Sequence, residues 1–90
     1  MKVQVRIDVY LKLMGIFKTR SIAGKACKAG FVSSDGNAVK SSLSVQNGDM
    51  FEIVKPDGSR LTVEVLKIPS EKQVSRKDRQ DYCRIVGMEV

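Results

Sequence analysis

Apolar residues recur with two different periods along this chain. Ile7, Tyr10, Leu11 and Met14 stand at i, i+3, i+4 and i+7, one stripe of an amphipathic helix. Asp8 falls in its first turn, where a negative charge is favoured, and Gly15 closes the segment. Ile16 and Phe17 form an apolar link. A second helix is predicted to start after Thr19, whose hydroxyl can accept from a free backbone N–H one turn on. It ends at Gly30, placed where helices adopt the left-handed conformation. Between them Ile22, Ala23, Ala26, Cys27 and Gly30 make one small-residue packing face. Arg20, Gly24 and Lys28 recur every four residues on another side, with Lys25 beside them. Two short helices joined by a tight Gly-containing turn make a helix-turn-helix-like pair.

After Gly30 the pattern becomes that of strands. Short extended runs flank Asp35-Gly36, a strong hairpin signal. Ser41 to Val45 reads as a loop with Leu43 and Val45 as apolar anchors, and Gln46-Asn47-Gly48-Asp49 as a second turn. Met50–Val54 and Leu61–Leu66 are predicted strands, joined through Pro56 and Gly58. Leu61, Val63 and Val65 alternate with Thr62 and Glu64, which gives one buried and one wet face. Pro69 is expected to end the sheet. Residues 70–81 are highly charged, with Val74 their one apolar side chain, and read as a solvated helical turn or a mobile loop. Tyr82, Ile85 and Val86 are expected to dock the tail back on the sheet. Residues 2–5 read as a short extended arm, with Val3 and Val5 alternating with polar neighbours.

Composition adds a direction to this α+β pattern. The chain has 90 residues and a formal net charge of +6. Residues 1–45 carry Lys2, Arg6, Lys12, Lys18, Arg20, Lys25, Lys28 and Lys40 against Asp8 and Asp35 alone, while basic and acidic residues balance in residues 46–90. All the excess positive charge lies around the two predicted helices, which argues for a localised polyanion-binding surface. The bland alternative is a solvated basic face that aids solubility. A chain of this size buries only roughly 60–65% of its unfolded surface, which leaves no room for a large catalytic cavity. Cys27 and Cys83 have no CxxC spacing and fit a reducing cytoplasm; Cys27 reads as a small buried hydrophobe. No apolar run approaches the ~20 residues of a membrane span, and the first six residues lack the apolar stretch of a secretory signal.

The absence of His removes the commonest general base and metal ligand. No nucleophile–base pair, metal-ligand cluster or phosphate-cradling glycine loop is present in the sequence. No enzyme activity, cofactor or metal is expected. Asp8 reads as a helix-start residue or as the ion-pair partner of a nearby Arg. Lys18-Thr19-Arg20-Ser21 combines cations and hydroxyls at a helix N-terminus, the groups that meet backbone phosphates. For Arg20 the alternative is a surface ion pair with Asp49 or another acid. Tyr10 and Phe17 are assigned to the core, so few aromatics remain to stack bases. That favours structured RNA, read through its shape and backbone.

Together these motifs resemble the alpha-L RNA-binding domain, the module named after ribosomal protein S-four. Arg6-Ile7-Asp8-Val9-Tyr10-Leu11 resembles its R-x-D-x-[aromatic]-L opening, and Lys18-Thr19-Arg20-Ser21-Ile22-Ala23 its second-helix start. Gly30-Phe31-Val32 through Asp35-Gly36 to Lys40 and Ser42 follows its hairpin, and Val45-Gln46-Asn47-Gly48-Asp49 with Phe51 and Ile53 its strand entry. The match runs in order from residue 6 to about 66. Three positions depart from it. Gly15 stands where the family often has an Arg that meets phosphate, Asp35-Gly36 replaces Asn-Gly, and Lys40-Ser41-Ser42 replaces Lys-Pro-Ser. A domain of this length is similar to the heat-shock-protein-fifteen family and the RqcP-type ribosome-quality-control factors.

The expected fold is therefore α+β, with two or three short helices packed on a small, mainly antiparallel twisted sheet. Residues 1–90 are expected to form one domain, with a core motif at about 6–66 and a charged extension at 67–90. The resemblance implies a cytoplasmic, non-enzymatic protein that binds large-subunit ribosomal RNA, and tRNA with it, in rescue of stalled subunits carrying peptidyl-tRNA. The expected RNA-binding residues are Arg6, Lys12, Lys18, Thr19, Arg20, Ser21, Lys25, Lys28 and Lys40. A monomer is expected, with no membrane or small-molecule partner. The rival roles are an RNA-targeting subunit for a separate RNA-modifying enzyme and a protein-interaction adaptor.

Overall fold

A computed structural model describes residues 4–69 and 74–89. The first helix, α1, spans Ile7–Leu13 and the second, α2, spans Arg20–Lys28. They are followed by β1 (Val32–Ser34), β2 (Asn37–Ala38), β3 (Met50–Val54) and β4 (Arg60–Val65), then by α3 (Arg79–Tyr82) and β5 (Cys83–Glu89). The strands form one sheet in the order β2-β1-β3-β4-β5, every neighbouring pair antiparallel.

Local chemistry accounts for where the helices stop and start. The Thr19 hydroxyl accepts from the Ile22 N–H at 3.1 Å, as its N-cap role requires. Both helices end in the same double bond. At α2 the N–H of Gly30 reaches the Cys27 carbonyl and that of Phe31 reaches Ala26; at α1 the N–H of Gly15 reaches Lys12 and that of Ile16 reaches Leu11. That geometry needs a left-handed residue just past the helix, and φ is +73° at Gly15 and +83° at Gly30. Asp35 and Gly36 likewise have φ of 52° and 81°, the signs of a two-residue hairpin turn that matches strand twist.

The core lies between the helix pair and the inner face of the sheet. Ile7, Tyr10, Leu11, Met14 and Phe17 from the helical side meet Val32, Phe51, Ile53, Leu61, Val63 and Val65 from the strands. Tyr10 is fully buried, and its hydroxyl donates to the Tyr82 carbonyl at 2.9 Å. Burial pushes its phenol well above the ordinary range, and the neighbouring Cys83 adds to that.

Three expectations need correction. On α2, Ala23, Ala26 and Cys27 are buried, but Ile22 is 41% exposed and Gly30 is exposed. The sheet does not end at Pro69, because β5 returns and pairs with β4 along its length. The tail does return to the sheet as expected, but through the β5 backbone and through Tyr82, which packs partly against the core; Ile85 and Val86 stay exposed. The charged segment contributes the short α3 in its second half, and residues 70–73 lie outside the described residues. Of the predicted arm, Val5 is buried and its carbonyl accepts from Val45, while residues 2 and 3 lie outside the described residues.

Candidate nucleic-acid interface

Asp8 is the one charged side chain buried among the described residues, at 4% exposure. Its carboxylate gathers two arginines from different elements. Oδ1 accepts from Arg6 Nε at 3.2 Å and from its neighbour's backbone N–H, Val9, at 2.8 Å. Oδ2 accepts from Arg6 Nη2 at 2.9 Å and lies 3.5 Å from Arg20 Nε. Arg6 is thus held by two parallel bonds, the arrangement that fixes a guanidinium in orientation. Arg20 is held by charge more than by a hydrogen bond, since 3.5 Å is long for one. Both arginine side chains remain about half exposed, at 45% and 55%. Each guanidinium keeps N–H donors that Asp8 does not use, on a side chain that is half exposed.

The backbone around Asp8 is equally constrained. The N–H groups of Ile7 and Asp8, free at the start of α1, are met by the carbonyls of Leu43 and Ser41. Gly24, in the middle of α2, fits against the same point; a methyl group there would lie 3.9 Å from Ser41 Cβ and 4.0 Å from Asp8 Oδ2. The starts of α1 and α2 and the 41–43 loop therefore converge on one carboxylate. Burial raises the Cys27 thiol from its ordinary value and the charge of Asp8 adds to this, so Cys27 stays neutral and behaves as a packing residue.

Of the residues predicted to touch RNA, Arg6 and Arg20 are joined directly through Asp8. Lys40 precedes the loop that caps α1, and its carbonyl accepts from Leu43. Lys12 stands one helical turn beyond Asp8, and Lys28 one turn beyond Gly24. Lys18, Thr19 and Ser21 surround the start of α2, and Lys25 follows Gly24. All of these side chains are exposed, and none of the lysines forms an ion pair among the described residues. The alternative for Arg20, an ion pair with Asp49 or another acid, is realised in its second form: Arg20 pairs with Asp8 at 3.5 Å, while the Asp49 carboxylate accepts from the Gln46 N–H at 2.8 Å and closes the turn before β3.

Sequence reasoning missed Arg79. Its Nε donates to the Leu13 carbonyl at 3.2 Å, at the C-terminal end of α1, where a cation is favoured. Its guanidinium covers Gly15, so a methyl group on that residue would overlap it. The charged C-terminal segment thus brings an arginine over the glycine that stands in the place of one. No local signal marks this, because the two positions meet only through the fold. An open cavity of about 570 Å³, lined by Gln4, Ser44, Val45, Gln46, Asn47, Lys67 and Ile68, contains none of the predicted RNA-binding residues.

The S4 domain family matches residues 5–51, from the approach to α1 into β3. The RQC P-site tRNA stabilizing factor of Helicobacter pylori (strain J99) is 35% identical over 78 residues, covering 87% of this chain and 92% of the relative. That of Halalkalibacterium halodurans is 33% identical over 75 residues, covering 82% and 80%. Among solved structures, the trimeric structure of Vibrio cholerae Heat Shock Protein 15 superposes with a TM-score of 0.83 at 26% identity, over 93% of this chain and 83% of that one. The solution structure of the hypothetical protein HP1423 gives a TM-score of 0.76 at 33% identity, over 94% and 100%. The chain belongs to the S4 domain family and, within it, groups with the RQC P-site tRNA stabilizing factors.

Proposed function

We propose that this chain is a non-enzymatic RNA-binding factor of ribosome quality control, which grips ribosomal RNA of the large subunit and the P-site tRNA of a stalled complex. The observation that carries this reading is the Arg6–Asp8–Arg20 arrangement, in which a buried carboxylate presents two half-exposed guanidinium groups. Such a pair matches adjacent phosphates of a folded RNA backbone, because each arginine keeps donors free for an anion. The reading is supported by the S4 match over the same residues and by relatives named for stabilizing P-site tRNA. In this proposal Arg6, Lys12, Lys18, Thr19, Arg20, Ser21, Lys25, Lys28 and Lys40 form the phosphate-facing surface. The whole chain acts as one RNA-binding unit, and its location is that of the ribosome, the cytoplasm.

Cosedimentation with ribosomal particles in a cell lysate tests this. Wild-type protein is expected in the large-subunit fraction, enriched when stalled peptidyl-tRNA accumulates, with an Arg6→Ala/Arg20→Ala variant left at the top of the gradient. If about five phosphates are neutralised, log affinity falls with log salt at a slope of roughly −3.5 to −4.5. Wild-type protein that stays at the top at low salt overturns the reading.

A further inference from the structure

β5 ends the strand order of the sheet, so no strand pairs with its outer edge among the described residues. It is seven residues long, contains no proline, and carries Ile85, Val86 and Met88 at 54%, 50% and 61% exposure. Natural sheets blunt or cover such edges, because a row of unpaired backbone groups beside apolar side chains invites another strand.

Register shows which strand would fit. Arg84, Gly87 and Glu89 lie opposite Glu64, Thr62 and Arg60 on the outer face of β4, while Ile85 and Met88 lie opposite the core residues Val63 and Leu61. In a regular strand Arg84 and Glu89, five positions apart, would point to opposite faces. The register shift at Thr62/Val63 leaves Val86 as the extra residue and puts both charges on the outer face. The strand is thereby self-complementary. Set antiparallel to itself about a two-fold axis between Val86 and Gly87, it pairs Arg84 with Glu89 of the second copy, and Ile85 with Met88, each pair twice and each on one face. At the centre Val86 meets only glycine.

We propose that β5 is the interface through which a second copy of this chain binds, joining two five-stranded sheets edge to edge. The occupant is a second copy because a foreign peptide has no need of matched charges at both ends of the strand, whereas a two-fold interface does. Arg84 already bonds Glu64 at 2.7 Å, but its side chain is 65% exposed and has donors left for a further carboxylate. The residues proposed to face RNA lie on the helices, their flanking residues and Lys40, so each copy keeps its own. This differs from the monomer expected from sequence.

Charge reversal tests the pairing. Sedimentation velocity over a concentration series should show a monomer–dimer equilibrium for the wild type. Arg84→Glu and Glu89→Arg should each weaken the dimer by about tenfold, as like charges then face each other at both ends of the strand. An equimolar mixture of the two variants, and the double variant, should regain the dimer, because both restore opposite charges. Amide exchange in unmodified protein gives a second reading that no variant's folding can disturb. Protection at residues 84–89 should rise with protein concentration, while that at Asn37 and Ala38 on the other edge should not. A wild type that stays monomeric with concentration-independent exchange, a dimer indifferent to both reversals, or variants that fold but fail to associate on mixing would overturn the proposal.

Discussion

Arg6 and Asp8 are two residues apart, one before α1 and one in its first turn, and their side chains close a two-pronged ion pair with Nε–Oδ1 at 3.2 Å and Nη2–Oδ2 at 2.9 Å. The helix start is what makes this possible. Extended backbone at Arg6, with φ −72° and ψ 150°, is followed at once by the first turn, which carries both residues toward α2. Asp8→Asn keeps the shape and removes the charge. It should cost about 1–3 kcal/mol of stability, since charge-assisted bonds are lost at a buried site. Affinity for large ribosomal subunits should fall by about three- to tenfold although net charge rises by one. An affinity that rises instead would make Asp8 a mere counter-charge. Binding at matched salt, beside a urea melt, separates the two.

Arg20 is tied less tightly than Arg6. Arg20→Ala should change stability by less than about 1 kcal/mol, because a half-exposed pair at 3.5 Å contributes little. Binding should weaken, and the magnitude of the log affinity–log salt slope should drop by about one. Arg20→Lys should recover the slope but not the full affinity, since an ammonium cannot grip phosphate with two parallel bonds. Titrations at four or more salt concentrations check both statements.

Two glycines should respond in opposite directions. Gly24→Ala should stabilise the protein by about 0.5–1 kcal/mol, because the helix gains and the new methyl group meets Ser41 and Asp8 at ordinary contact distance. Gly15→Ala should destabilise it by about 1–2 kcal/mol, since φ is +73° there. The Arg79 guanidinium must also move aside. Denaturation midpoints in urea read both changes, and equal shifts of one sign would contradict this account.

Alkaline stability follows from buried acids. Tyr10, Cys27 and Cys83 are all raised, chiefly by burial. Each group holds its proton more firmly folded than unfolded, so its contribution is intact below the unfolded pKa and is lost as pH rises toward the folded one. Stability should therefore decline from about pH 8.5–10 upward, where free thiols and phenols ionise. Tyr10→Phe should flatten the upper part of that decline. At pH 7 it should cost no more than about 1.5 kcal/mol, as the Tyr82 carbonyl keeps the N–H groups of Leu66 and Lys67. Thermal melts from pH 7 to 11 give the comparison.

Much of the fold was legible because its causes are local. Thr19, Gly15, Gly30 and Asp35-Gly36 act within a few residues of themselves, and the alternation of Leu61, Val63 and Val65 states which face is buried. The errors fall where distant segments meet. Ile22 sits at the margin of the α2 stripe, and nothing in its spacing says that no neighbour covers it. β5 carries an extra residue at Val86, which breaks the alternation by which a half-buried strand is recognised. Arg20 had two acids to choose from, and only packing set it beside Asp8 while Asp49 was taken up in its own turn.

By itself the sequence determined the helix limits, the hairpin, the alternation of β4 and the gathering of positive charge in the first half, since these depend on backbone preference and residue type over short spans. Tertiary structure decided what Asp8 holds, that Arg79 lies over Gly15, and that β5 pairs with β4 through a shift in register. Those relationships join residues 12, 64 and some 20 positions apart along the chain. Short-range periodicity carries no record of which distant groups close packing brings within reach.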